Sequence, residues 1–159
     1  TGFMVGRKYE NAGIAKDGAK MVTAVACSSV PKFTVVIGGS FGAGNYAMCG
    51  RAYDSRHAFT WPSARSSVMG ATQLADVITN VSRASALAQS KPFDEEGAAA
   101  MHAAIEKQIS AEAMPMVLSG LVYDDGIIDP ADTRRVLGMG LEATAQAPVP
   151  APSYGIFRM

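Results

Sequence analysis

The 159 residues suffice for one domain with its own core, and 14 acidic and 14 basic side chains cancel. With no net field and no basic stripe, nucleic acid and anionic membranes are not expected partners, and no apolar run approaches the ~18–20 residues that span a bilayer. Cys27 and Cys49 lack CxxC spacing and share no ligand pattern with His57 and His102, so they read as free thiols of an intracellular protein and no metal site is expected.

The chain opens on Thr1 and reads as the carboxy-terminal piece of something longer, without a visible targeting segment. Gly2 to Gly6 resembles a strand end entering a loop. Ile14, Met21, Val22 and Val25 recur at helical spacing over residues 11–29, with Asn11 as cap and Pro31 as stop. Lys32 to Ile37 is a β-branched run ended by glycines, which predicts a buried strand. The segment GGSFGAG (residues 38–44) follows, and Asn45 to Cys49 starts a helix; strand, glycine turn and helix make an α/β unit.

Ala58–Trp61 and Ala64–Met69 are predicted as two short strands broken at Pro62. Leu74, Val77, Ile78 and Val81 then mark a helix, and residues 82–93 read as a polar excursion. An alanine-rich helix is expected from Asp94 to about Ala113. Asp129-Pro130 predicts the cap and first position of a last helix carrying Val136, Leu137 and Leu141. The proline-rich tail with Tyr154 and Phe157 is read as a docking strap.

The glycine segment carries the most chemical information. Glycines after a strand permit positive φ and close approach of a ligand to the main chain, and a helix start beyond them offers unpaired N–H groups to an oxyanion. A tight, closely packed turn accounts for the same residues. Neither a Walker lysine nor G-x-G-x-x-G is present, which argues against nucleotide phosphates. Gly38, Ser40 and Gly42 form a literal G-x-S-x-G, but a serine hydrolase also needs a histidine base, and His102 falls in a helix read as structural. Asp124 and Asp125 beside Gly126 read as solvated turn residues. Tyr46 either borders a ligand or packs on the next helix.

Five strings, GFMVG (2–6), GIAKDGAKMV (13–22), VPKFTVVIGGSFGAGNYAMCGRAY (30–53), WPSARSSVMG (61–70) and DDGIIDPADTRRVLG (124–138), resemble the C-terminal domain of biotin-dependent acyl-CoA carboxyltransferase β subunits. The GAGNY variant is similar to the 3-methylcrotonyl-CoA and geranyl-CoA carboxylase type. The resemblance implies an α/β crotonase/ClpP-like ββα superhelix, with residues 1–159 as the carboxybiotin-binding half and the acyl-CoA-binding N-domain absent.

It further implies that the N–H groups of Ala43 and Gly44 are the catalytic donors, holding the ureido oxygen of biotin as charge develops. Gly42 would keep the turn open, Asn45 and Tyr46 would flank the reacting groups, and Gly2 and Phe3 would border the pocket. The implied reaction moves a carboxyl group to the γ-carbon of an unsaturated branched acyl-CoA. The implied partners are the N-domain of the same subunit type in a homo-oligomeric β core, and an α subunit carrying biotin carboxylase and the biotin carrier. Location would be cytoplasmic in bacteria and mitochondrial in eukaryotes. Ser63, Ser66, Ala71 to Leu74 and His57-Ala58 depart from the methylcrotonyl pattern, which leans the reading toward geranyl-CoA. A non-catalytic crotonase-like assembly module is the alternative.

Overall fold

β-Branched residues between a proline and a glycine pair favour an extended run, and β1 forms there at Phe33–Val36. The computed structural model describes residues 1–155. Strand β3 (His57–Thr60) lies parallel to β1 with Phe33 opposite His57, and the short β5 (Gly126–Ile127) lies parallel to β3. A second, two-stranded sheet pairs β2 (Gly39–Phe41) in parallel with β4 (Arg65–Ser67).

The two sheets share one connectivity. β1 bends at Ile37-Gly38 into β2, which enters helix α3 (Gly42–Ala47). β3 bends through Trp61–Ala64 into β4, which leads to helix α4 (Ala71–Ala88). Each unit is strand, bend, strand, helix, and successive units stack in parallel. The expected glycine loop therefore contains a strand: Gly39, Ser40 and Phe41 pair with β4.

At the amino-terminal end, α1 (Arg7–Asn11) precedes α2 (Ile14–Cys27). Asn11 is not the cap expected of it. That position belongs to Gly13, whose φ of 96° reverses the chain between the two helices.

Residues 82–93 were expected to be an excursion, yet α4 continues through Ser82 to Ala88. It pairs antiparallel with α5 (Glu95–Glu112). Arg83 grips Glu95 at 2.7 Å, His102 meets Asp76 at 2.9 Å, and Thr72 bonds Glu106 at 2.5 Å. These cross-helix contacts extend a helix whose local residues are too polar to announce it. Asp94 caps α5 by accepting from Gly97 N–H at 3.0 Å.

A short α6 (Pro115–Gly120), not foreseen, begins on a proline at its first turn. At the last helix the Asp129 carboxylate accepts from Ala131 N–H at 2.8 Å, a 3₁₀ turn follows at Pro130–Asp132, and α7 runs Thr133–Thr144. Trp61 Nε1–H donates to Thr133 Oγ1 at 3.0 Å, fastening α7 to the end of β3. Of the tail expected to be a strap, Tyr154 is exposed and Phe157 lies outside the described residues.

Candidate active site at a glycine turn

The turn from β2 into α3 requires glycine at two places for different reasons. Gly42 has φ 56°, a left-handed conformation disfavoured for other residues, and a Cβ there would stand 2.8 Å from the Val68 carbonyl oxygen. Gly44 is buried, and a Cβ on it would stand 2.5 Å from Gly2 Cα. The loop at Gly2 thus lies directly on the first turn of α3. Thr1 reinforces it: its carbonyl accepts from Phe41 N–H at 2.8 Å and its nitrogen donates to Gly39 O.

Helix α3 starts without any side-chain cap at Phe41. Its first N–H groups, those of Gly42, Ala43 and Gly44, precede the intrahelical bonding pattern and lack partners within the helix. Ala43 is exposed, and Gly44 is buried with Gly2 packed on its α-carbon.

Asn45 is held in place. Ser40 is buried and its hydroxyl donates to Asn45 Oδ1 at 2.7 Å. That bond uses the Ser40 proton, and neither histidine is hydrogen-bonded to it. His57 stacks on Phe59 with centroids 5.4 Å apart, and His102 is tied to Asp76. A serine–histidine pair is therefore missing among the described residues, and the literal G-x-S-x-G has no base.

Tyr46 is half-exposed and meets Tyr53 edge-on, with centroids 6.5 Å apart. Phe3 packs its ring on α2, 3.0 Å from where a Cβ on Gly18 would stand. Gly2 lies on the turn itself, whereas Phe3 faces a separate shallow cleft with Tyr9, Ile14 and Met21. Val68 and Met48, exposed by 85% and 56%, make the surroundings of the turn apolar.

Of the two aspartates at the β5 turn, Asp125 is exposed as expected of a turn residue, although it is hydrogen-bonded, whereas Asp124 is buried. Asp125 accepts from Ala58 N–H at 2.8 Å and pairs with Arg51 at 2.8 Å. Burial pushes its carboxyl up, but the Ala58 N–H and Arg51 outweigh that and hold it below the ordinary carboxylate value. Asp124 is 8% exposed, and neither carboxylate oxygen has a hydrogen-bond partner among the described residues. The bond to Ala58 ties Asp125 to β3 and the turn buries Asp124, neither of which their polar sequence context disclosed. Cys49 is buried and Cys27 half-buried, both free thiols. Among the described residues no group of three His, Cys, Asp or Glu is placed to hold a metal.

The carboxyl transferase domain family matches residues 1–156. This chain belongs to that family. It is 55% identical over its whole length to the probable biotin-dependent acyl-coenzyme A carboxylase beta2 subunit of Mycobacterium tuberculosis, covering 30% of that protein. It is 52% identical to the probable methylcrotonoyl-CoA carboxylase beta chain of Drosophila melanogaster, covering all of this chain and 28% of that one. The β subunit of geranyl-CoA carboxylase from P. aeruginosa superposes with a TM-score of 0.82 at 40% identity, over 100% of this chain and 30% of that one.

The carboxyl transferase chain thus spans under a third of the length of these relatives. The stacked strand-bend-strand-helix units are the crotonase-like fold that the family match implies. No helix among the described residues is long and apolar enough to cross a membrane.

Proposed function

We propose that this chain is part of the carboxybiotin-handling half of a biotin-dependent acyl-CoA carboxylase β subunit, with the start of α3 as its oxyanion site. The observation that carries the reading is the uncapped first turn of α3, opened by Gly42 at φ 56° and pinned by Gly2 against Gly44. A rigid turn of small residues leaves main-chain donors facing an apolar surface, where an oxyanion is stabilised more strongly than in water. The names of the relatives support the reaction class.

Biotin, carried by a partner subunit, would supply the transferable carboxyl group. The residues present fit its ureido end in one respect: the uncapped start of α3 offers main-chain N–H donors without competing side-chain charges, while the space beside Gly42 and Gly44 is taken by Val68 O and Gly2. The N–H groups of Ala43 and Gly44 hold the ureido oxygen as negative charge builds there. Asn45, fixed by Ser40, and Tyr46 would flank the reacting groups and Gly2 would border the pocket, whereas Phe3 is turned to its own cleft on α2. No side-chain acid or base is required of this chain, which agrees with the lack of a serine–histidine pair among the described residues.

The acceptor is the γ-carbon of an unsaturated branched acyl-CoA, geranyl-CoA or 3-methylcrotonyl-CoA, bound by an N-domain from a neighbouring subunit in an oligomeric β core. An α subunit with biotin carboxylase and carrier domains completes the enzyme. Location would be mitochondrial for a eukaryotic source, as the name of the Drosophila melanogaster relative says of that protein, and cytoplasmic for a bacterial one.

The test joins this chain to the remaining part of a β subunit by replacing the matching 30% of the Mycobacterium tuberculosis relative. The chimera is assayed for carboxyl transfer from a biotinylated α subunit to both thioesters. Turnover with either supports the reading and names the acceptor. A folded, assembled chimera inert with both returns the chain to the assembly-module reading.

A further inference from the structure

Ser40 is the serine of the literal G-x-S-x-G, and the oxyanion reading gives it no chemical task of its own. It stands on β2, 7% exposed, directly before Phe41, the N-cap of α3. Its hydroxyl donates to Asn45 Oδ1 at 2.7 Å, a bond from strand to helix that bridges the whole turn of Gly42, Ala43 and Gly44. A serine nucleophile needs a base to draw off its proton, and this proton is committed to a neutral amide oxygen.

The bond bears on what the turn can bind. Serine and asparagine oxygens are the usual caps of free N–H groups at a helix start. Both residue types stand here, yet α3 begins without a side-chain cap, and the two side chains are bonded to each other instead. Helical side chains lean toward the start of their helix. The Asn45 carboxamide does so, lying back across the turn to meet a residue five positions earlier. Released from Ser40, its oxygen would be free to fold onto the main-chain donors, much as the third helical side chain of a capping box reaches back to the cap.

Orientation matters as much as position. A carboxamide has an acceptor end and a donor end. With Oδ1 on Ser40, the end left over is Nδ2, a neutral donor. A donor beside the turn adds to the stabilisation of an oxyanion, and an acceptor there opposes it.

We propose that Ser40 is a positioning residue for carboxyl transfer. By holding Asn45 Oδ1 it keeps that oxygen off the N–H groups of the turn and leaves Nδ2 as the free end of the carboxamide; this rests on the oxyanion reading above.

The experiment measures carboxyl transfer by the chimeric β subunit carrying Ser40→Ala, Ser40→Thr, Asn45→Ala or the Ser40→Ala/Asn45→Ala pair, alongside their melting temperatures. Ser40→Ala lowers kcat about tenfold while KM for the acyl-CoA stays within about twofold, as expected of one hydrogen bond felt in the transition state. Ser40→Thr, which keeps the hydroxyl, restores kcat to within about threefold; should its methyl prevent folding, the paired variants decide alone. In the Asn45→Ala background, Ser40→Ala costs less than about twofold, because Ser40 acts through Asn45. A lower melting temperature for Ser40→Ala with kcat unchanged makes the bond structural only and overturns the proposal. So does an undiminished loss of kcat in the Asn45→Ala background, which has Ser40 acting by itself, as packing or as a nucleophile. A folded, assembled wild-type chimera without turnover sinks the β-subunit reading and this proposal together, whereas an active wild type with an unaffected Ser40→Ala sinks the proposal alone.

Discussion

Gly44 and Gly2 pack backbone against backbone, so closely that a Cβ on Gly44 would stand 2.5 Å from Gly2 Cα and 2.9 Å from Gly2 C. The contact joins two segments distant in sequence and gives Gly44 a packing reason to be glycine, independent of any ligand. It also means that a bulky side chain at Gly44 disturbs the loop before it blocks a substrate.

Gly44→Ala accordingly destabilises the protein by about 1–3 kcal/mol, since backbone on both sides must move. The control is Gly138→Ala in α7, where a Cβ meets nothing within 4 Å. That change adds roughly 0.5–1 kcal/mol of stability by removing glycine from a helix interior. Thermal melts of the two variants check the pair, and a Gly44→Ala melt at or above wild type contradicts the packing described.

Acid sensitivity is expected at the Arg51–Asp125 pair. The Asp125 carboxyl is held below its ordinary value, so its stabilisation is present above the unfolded pKa and lost as pH falls through the folded one. Asp125→Asn is therefore less stable than wild type at neutral pH, by about 1 kcal/mol for so solvent-exposed a pair. The difference shrinks as the pH drops below about 4, the ordinary range of a free aspartate. Denaturant midpoints at neutral and strongly acidic pH measure it; a gap that stays constant contradicts the assignment.

Val122 is strained. Its φ of 62° places a β-branched residue in the left-handed region, while the side chain is 68% exposed and packs little. Val122→Asn relieves about 1 kcal/mol and raises the melting temperature by roughly 2–4 °C. A lower melting temperature would show that the exposed side chain contributes more by packing than the backbone loses by strain.

Local chemistry made part of this fold legible. Val35 and Val36 ahead of Gly38-Gly39 gave β1 to within a residue, whereas Asp129-Pro130 marked the 3₁₀ turn that leads into the last helix, which itself begins at Thr133. The glycines flagged the site because positive φ at Gly42 is a local property. What escaped was set at long range. Ser82 to Ala88 continue α4 where it lies along α5, with Arg83 meeting Glu95 across the pair, and Asp125 is tied to Ala58 of β3 while Asp124 is buried. The packing of Gly2 on Gly44 has no local signature, so nothing in GAGNY showed it.

The central claim is that a main-chain N–H at the start of α3 does the catalytic work, and Ala43→Pro tests it because proline has no N–H yet is tolerated in a helix's first turn. In the chimeric β subunit, carboxyl transfer falls by about 10²–10³ in kcat while assembly and melting temperature hold. Replacing the Ala43 amide by an ester through lactate incorporation, which leaves the side chain and turn unchanged, gives the same loss should proline disturb the fold. Wild-type turnover in a folded Ala43→Pro or Ala43 ester variant contradicts the account.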